Sequence, residues 1–164
     1  MSELQITFRD VCPEDVDLVF EWANDAATRS ASFRSDPIPY ADHVAWFSSS
    51  LHRDDRHLLL ALSAAEPVAF LRFDRDEALE GGVVISINVG PESRGAGMGT
   101  ATLRAATEEA SRLGYSRIIA FIRPSNAASL RAFGRAGYVE VGSAQLQGEA
   151  ALRYERATLE AENG

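Results

Sequence analysis

Cysteine, histidine and long apolar runs are all scarce in this chain of 164 residues. Cys12 stands alone, which excludes an internal disulfide and a cysteine-built metal cluster. The histidines, His43, His52 and His57, do not fall at the spacing of a short metal motif, so no metal is expected. No uninterrupted run of about 18 apolar residues occurs, and the N-terminus shows no basic segment followed by an apolar one. A soluble, cytoplasmic protein is the expectation. Basic residues are outnumbered as well: 16 Lys and Arg face 24 Asp and Glu, for a formal net charge of -8. That balance offers no concentrated basic face to nucleic acid or to an anionic membrane. It leaves room for a phosphorylated cofactor, because backbone amides and a few local arginines can hold phosphate.

What is present is ordinary globular composition, 46% hydrophobic and 24% charged, in a chain long enough to bury its own core. No internal repeat or low-complexity linker interrupts it, and the expectation is one domain over residues 1–164. Alternation at residues 4–8 predicts a first strand. Pro13, Glu14 and Asp15 suit the first turn of a helix with apolar positions at Val16, Val19, Phe20 and Ala23. The pattern fades over residues 26–39, with room for a short helical turn, and resumes as a helix over 40–51. Strands follow at 57–63, 67–74 and 83–89, then a helix over 97–112 stopped by Gly114, and a strand at 116–122. A short helix at 125–135, with Ala128, Leu130 and Phe133 inward, leads to strands at 139–146 and 152–159 across a turn near Gln147-Gly148-Glu149. The tail 161–164 is expected to fray. This order describes a mixed α/β sheet with helices on its faces, too poor in repeated β-α units for a doubly wound array.

The chain is organised around residues 83–109. A β-branched run turns at Gly90-Pro91, crosses Arg94-Gly95-Ala96-Gly97-Met98-Gly99-Thr100 and enters an Ala/Leu-rich helix. A strand, a Gly-rich loop and a helix start form an anion site, with free amides pointing outward and the positive end of the helix dipole behind them. Glycine lets successive amides converge and leaves room for phosphate oxygens. The loop lacks the Lys-Ser/Thr pair of a P-loop and the full GxGxxG pattern, so triphosphate hydrolysis is a poor match. A turn that needs its glycines for shape alone is the alternative.

Downstream lie Pro124-Ser125-Asn126-Ala127-Ala128-Ser129, Phe133 and Gly137-Tyr138. RGAGMG after a strand, followed by N-A-A-S and a terminal G-Y, resembles the GCN5-related N-acetyltransferases, over residues 4–159. The resemblance implies an α/β fold with a mixed, mostly antiparallel central sheet, a V-shaped splay between strands 4 and 5, and helices on both faces. It implies acetyl-CoA as cofactor, its pantetheine arm adding to the open strand edge near Val89. Amides from Gly95 through Ala96, Gly97, Met98 and Gly99 to Thr100 would take the pyrophosphate, with Arg94 also among the cofactor-binding residues. Asn126 and Ser129 would lie on the cofactor side, a role compatible with Asn126 as a helix cap. One departure stands out. Phe133 occupies the position where many members carry a tyrosine that protonates the departing thiolate, so Tyr138, Ser129 or a water would have to replace it. The simplest structural reading of Phe133 is packing beside the thioester.

Trp22-Ala23-Asn24-Asp25, Arg29, Ser32-Phe33, His43 and Trp46-Phe47, with His57 and residues 70–74 and 85–89, resemble the branch acting on nucleotide-linked 4-amino sugars. That implies an acceptor site drawn from Trp22, Asn24, Arg29, Phe33, His57 and Arg72. From the residues alone several stay two-sided. Trp22 and Trp46 can pack in a core or stack on a ligand. His57 can accept a proton or be structural. Arg29, Arg34 and Arg72 can meet a diphosphate or solvent. Ser86 and Asn88 lie two apart on one strand and share a face, opposite Ile85, Ile87 and Val89; they mark either the reaction cleft or a satisfied structural pair.

The expected function is direct transfer of acetyl to a primary amine, that of a nucleotide-linked amino sugar, within a ternary complex. Ser86 or Asn88 would hold a water as base, an amide of Val89 or Gly90 would face the developing oxyanion, and Tyr138 would stand in as acid. Cys12 sits before a helix at the far end of the chain, which argues against an acetyl-cysteine route through it. The alternatives are an enzyme of the same fold acting on a protein N-terminus or small amine, and a non-catalytic acyl-CoA-binding module. No nucleic acid or membrane partner is expected, and the chain would be a monomer or homodimer.

Overall fold

The computed structural model describes residues 4–158. In chain order they form β1 (Thr7–Asp10), a 3-10 turn (Pro13–Asp15), α1 (Val16–Ala23), α2 (Ala26–Ala31), α3 (Tyr40–Ser50), β2 (Arg56–Ser63), β3 (Glu66–Arg75) and β4 (Gly82–Val89). A second 3-10 turn (Pro91–Ser93), α4 (Met98–Arg112), β5 (Arg117–Ile122), α5 (Ala127–Arg135), β6 (Val139–Leu146) and β7 (Glu149–Ala157) complete them. The strands make one sheet in the order β1-β2-β3-β4-β5-β7-β6. All neighbours are antiparallel except β4 and β5.

Strand alternation divides the core into two layers. Leu59, Ala61, Leu71, Phe73, Val83 and Ile85 face one side, where α4 and α5 bring Leu103, Ala106, Ala110 and Phe133. Leu58, Leu60 and Phe70 face the other, where Val19 of α1 and Phe47 of α3 cover them. The spacing of Leu103, Ala106 and Ala110 gives α4 one apolar stripe, and that stripe fixes its orientation on the sheet.

Several expected boundaries shift for identifiable reasons. β1 begins at Thr7, not at residue 4, because its partner β2 turns away after Ser63, which leaves no strand to pair earlier residues. Residues 26–31 form a full helix, α2, capped by Asp25 accepting from the Thr28 amide at 3.2 Å. Glu66 belongs to β3, because the β2–β3 turn is made by Ala64 and Ala65 alone, with φ of 51° and 68°. Two left-handed residues match the twist of a two-residue hairpin, here built without glycine. β7 starts at Glu149, since the hairpin through Gln147 and Gly148 pairs Leu146 with Glu149 directly. Ala128 is exposed on α5 rather than inward. Strand extension to residue 159 and the 161–164 tail lie outside the described residues.

The feature that positions the site is a break in the sheet. β4 and β5 pair only over Gly82–Val84 with Arg117–Ile119. Residues 85–89 and 120–122 continue as strands with no pairing across the gap. No helix among the described residues is long and apolar enough to cross a membrane.

Candidate active site

The edge of β4 is the first component. The Gly90 amide donates to Val68 O at 2.8 Å, on the β3 side. Backbone alternation turns Ser86 and Asn88 the same way and sends the N–H and C=O groups of Ile87 and Val89 into the gap. An extended ligand arm can bond to those groups as an added strand would. Of the two amides expected at the developing oxyanion, Gly90's is committed and Val89's faces the gap. Trp22 props this junction from below: a Cβ at Gly90 would stand 2.8 Å from Trp22 Cζ2.

The second component is the start of α4. Gly97 is its N-cap, with φ of 75° and no side chain to cap with, so the amides of Met98, Gly99 and Thr100 lack intrahelical acceptors. Gly95 is also left-handed, with φ of 81°, and a Cβ on either glycine would meet nothing within 4 Å. These glycines set the backbone conformation and keep the approach to the amides open. A pyrophosphate fits this cradle on both geometry and dipole. Arg94 is tied to the N-terminus of α2, its Nη2 donating to Asp25 Oδ2 at 2.7 Å and Thr28 Oγ1 at 2.9 Å.

A cavity of about 710 Å³ fills the splay. Met98, Gly99, Thr100, Leu103, Asn126, Ser129 and Phe133 wall it on the α4–α5 side, and Thr28, Ser32 and Phe33 on the α2 side. Ser86, Asn88, Val89, Phe121 and Arg123 line it from the strands. It therefore passes through the sheet, so ligands entering from opposite faces would meet at the edge of β4. Asn126 caps α5, accepting from the Ser129 amide at 3.2 Å, while also lining the cavity. Arg94, Arg123, Arg131 and Arg135 line it too, and among the described residues no Asp or Glu does.

Ser86 stands at the end of a polar network. Its Oγ accepts from Arg72 Nη2 at 3.3 Å. Arg72 Nε lies 2.7 Å from Asp74 Oδ2, and Asp74 Oδ1 accepts from Arg56 Nε at 2.6 Å. Both guanidinium groups lie over the Trp46 ring, at 5.6 and 5.7 Å from its centroid. Arg72 thus reaches the cavity wall through Ser86, and Trp46 is the platform that holds both arginines.

The family model described as Acetyltransferase (GNAT) domain matches residues 5–139. The chain belongs to the GNAT acetyltransferases. Among curated relatives, YwnH of Bacillus subtilis (strain 168), named as a candidate phosphinothricin acetyltransferase, is 30% identical over 120 residues, covering 71% of this chain and 72% of its own. The L-methionine sulfoximine/L-methionine sulfone acetyltransferase of Pseudomonas aeruginosa is 27% identical over 139 residues, covering 82% and 81%. The solved aminoglycoside acetyltransferase AAC(6')-Ib, in complex with paromomycin and acetyl-CoA, superposes with a TM-score of 0.84 at 20% identity, covering 97% of this chain and 96% of its own, and shows the shared fold. This GNAT acetyltransferase is an N-acetyltransferase whose cofactor is acetyl-CoA. When bound, the cofactor supplies an acetyl group activated as a thioester; the open β4 edge and the uncapped α4 amides are the groups that would hold it.

Other residues that the sequence singles out lie elsewhere in the enzyme. His57 Nε2 is 3.0 Å from Tyr115 Oη, and His57 does not line the cavity. Asn24 is consumed by Ile38, accepting from its amide at 2.7 Å and donating to its carbonyl at 2.9 Å. Arg29 donates to Ala23 O at 2.7 Å, Arg34 O at 3.0 Å and Ser32 Oγ at 3.2 Å, and burial lowers its pKa. These two hold the 24–38 segment closed, and Phe33 from that segment reaches the cavity. Ala96 lies in the Gly-rich loop but outside the cavity wall, as does Trp22. Tyr138 is 4% exposed, its ring edge-on to Phe133 at 4.8 Å, and its hydroxyl has no partner among the described residues. Burial pushes that phenol well above its ordinary pKa. Sequence reasoning missed Arg123, whose signal lay in strand parity: Ile118, Ala120 and Ile122 face the α4 layer, which sends Phe121 and Arg123 to the α2 side.

Proposed function

We propose that this enzyme acetylates the amine of a small acceptor that carries a negative charge, of the amino-acid type. The observation that carries the reading is the cavity wall, whose charged side chains among the described residues are arginines, with Arg123 on the α2 side where an acceptor would enter and Arg131 and Arg135 on the α5 side. A polycationic acceptor would find like charge there and no partner for its ammonium groups, whereas an acid group on the acceptor finds a cation. The curated relatives support it, one of them being named for L-methionine sulfoximine and sulfone. An amine on a nucleotide-linked sugar is the second reading, favoured by the same arginines because a diphosphate is also anionic. A basic protein N-terminus fits this wall poorly.

An amine must be neutral to act as a nucleophile. Among the described residues no histidine or carboxylate lines the cavity to take its proton, but a cationic wall itself favours the neutral form of an amine held there. Ser86, with one lone pair already engaged by Arg72, presents its remaining hydrogen-bonding capacity to the acceptor or to a water that carries the proton out. Asn88 lies beside it on the same face, and the Val89 amide faces the reacting carbonyl's side of the gap. Phe133 shields the cavity from Tyr138.

The test is thiol release from acetyl-CoA with α-amino acids, nucleotide-linked 4-amino sugars and aminoglycosides assayed side by side. Turnover on amino acids, with kcat/KM about tenfold or more above the aminoglycosides, is expected. Turnover confined to the sugars moves the assignment to the second reading, and turnover confined to polycations overturns both.

A further inference from the structure

We propose that Arg123 recognises the anionic group of the acceptor, and that the Glu149 carboxylate is the stand-in for that group; this rests on the reading of the acceptor as a small anionic amine. Arg123 projects to the α2 side of the sheet, the face that Ser86 and Asn88 share and the one opposite the uncapped amides of α4. An acceptor must lie on that side if the cofactor takes the α4 side. Its Nη1 donates to Ser30 O and Ser32 O, each at 2.9 Å, which fixes the plane of the guanidinium against the C-terminal end of α2. Two carbonyls on one nitrogen leave the Nε–Nη2 edge of the fork for an oxyanion, the geometry that arginine offers to carboxylate or phosphinate.

The contact on that edge is loose. Glu149 Oε2 is 3.5 Å from Arg123 Nε, beyond an ordinary charge-assisted hydrogen bond, and the Glu149 side chain is 47% exposed where Arg123's is 27%. A half-solvated carboxylate at that distance is a weak competitor that a better-placed acid group displaces. The other arginines are otherwise engaged. Arg94 is held by Asp25 and Thr28, while Arg131 and Arg135 belong to α5, on the cofactor side. Arg123 is therefore a specificity-determining residue placed to bind the acceptor's acid group while its amine meets the β4 edge.

The experiment compares an α-amino acid with its neutral carboxamide as acceptors for the wild type, Arg123→Gln and Glu149→Gln, with acetyl-CoA affinity measured by calorimetry in each. In Arg123→Gln, KM for the amino acid is expected to rise about tenfold or more, with kcat changed less, KM for the carboxamide nearly unmoved and acetyl-CoA affinity retained. In Glu149→Gln, KM for the amino acid is expected to fall and that for the carboxamide to stay. Equal losses on both acceptors in Arg123→Gln would reduce the residue to a tie for α2 and overturn the proposal. So would a wild-type preference that survives the substitution. If Arg123→Gln does not fold, Glu149→Gln decides, and an unchanged KM for the amino acid counts against the assignment. A wild type that prefers the carboxamide would refute the anionic-acceptor reading itself, whereas a preference independent of Arg123 refutes only the residue's role.

Discussion

Phe133 stands where the family resemblance leads one to expect a proton-donating tyrosine, and the phenol packed against it, Tyr138, faces the core rather than the cavity. Its hydroxyl is buried with no hydrogen-bond partner among the described residues and its pKa is raised, so it is a poor acid in a poor place. Tyr138→Phe is expected to keep kcat within about twofold and to hold or raise stability by up to about 1 kcal/mol, since an unsatisfied buried hydroxyl is removed. Steady-state rates and thermal melts check this, and a kcat loss beyond about tenfold would restore Tyr138 as the acid. Asp15 presents the opposite case, a buried carboxylate fully used. It accepts from Arg9 Nη1 and Nη2 at 2.8 and 2.9 Å and from the Cys12 amide at 2.9 Å, and the Arg9 guanidinium holds its pKa at about 2 against an ordinary 3.8. Because the folded-state pKa is depressed, this stabilisation is full above about pH 4 and is lost as pH falls toward 2. Asp15→Asn is expected to cost roughly 1–2 kcal/mol at neutral pH, discounted for the solvent around Arg9, and to flatten the acid limb between pH 4 and 2 in urea titrations. An unchanged acid limb would show that the pair does not set it.

Among the elements, α4 depends on a glycine at its N-cap. Gly97→Ala puts a Cβ on a residue with φ of 75°, at a cost of about 1–2 kcal/mol, and narrows the approach to the first-turn amides. Acetyl-CoA affinity is expected to fall about tenfold by calorimetry; an unchanged affinity would remove the α4 cradle from the cofactor site. This element was legible in the sequence: the observed Met98–Arg112 starts one residue inside the expected range because Gly97 caps it. Ser86 and Asn88 were legible as a pair because strand alternation alone puts them on one face. α2 was legible only as a helical turn. It has six residues and buries none of them, and its ties run to Arg94 and Arg123, far away in sequence. The tie between His57 and Tyr115 joins residues 58 positions apart, so the sequence held no trace of it. Arg123 needed the parity of β5 and the point at which β4 parts from it, and neither is a local property.

At the scale of the whole molecule, the broken β4–β5 pairing turns a continuous sheet into a two-sided passage, with the proposed cofactor groups on the α4–α5 face and the proposed acceptor groups on the α2 face. Overall charge and site charge have opposite signs: the chain carries a formal -8, yet among the described residues only arginines supply the charged side chains of the cavity wall. Composition alone therefore argued against nucleic acid but gave no sign of the anionic acceptor proposed for this site. Direct transfer is the route proposed for this passage, since no cysteine lines it among the described residues. Cys12 lies outside the cavity wall, and the Glu14 and Asp15 carboxylates push its thiol pKa up. Initial rates measured while acetyl-CoA and an α-amino acid are varied together test this most directly. Intersecting double-reciprocal lines, with the N-acetylated amino acid as product, are expected for two ligands meeting across the splay. Parallel lines, the mark of an acetyl-enzyme intermediate, would contradict it.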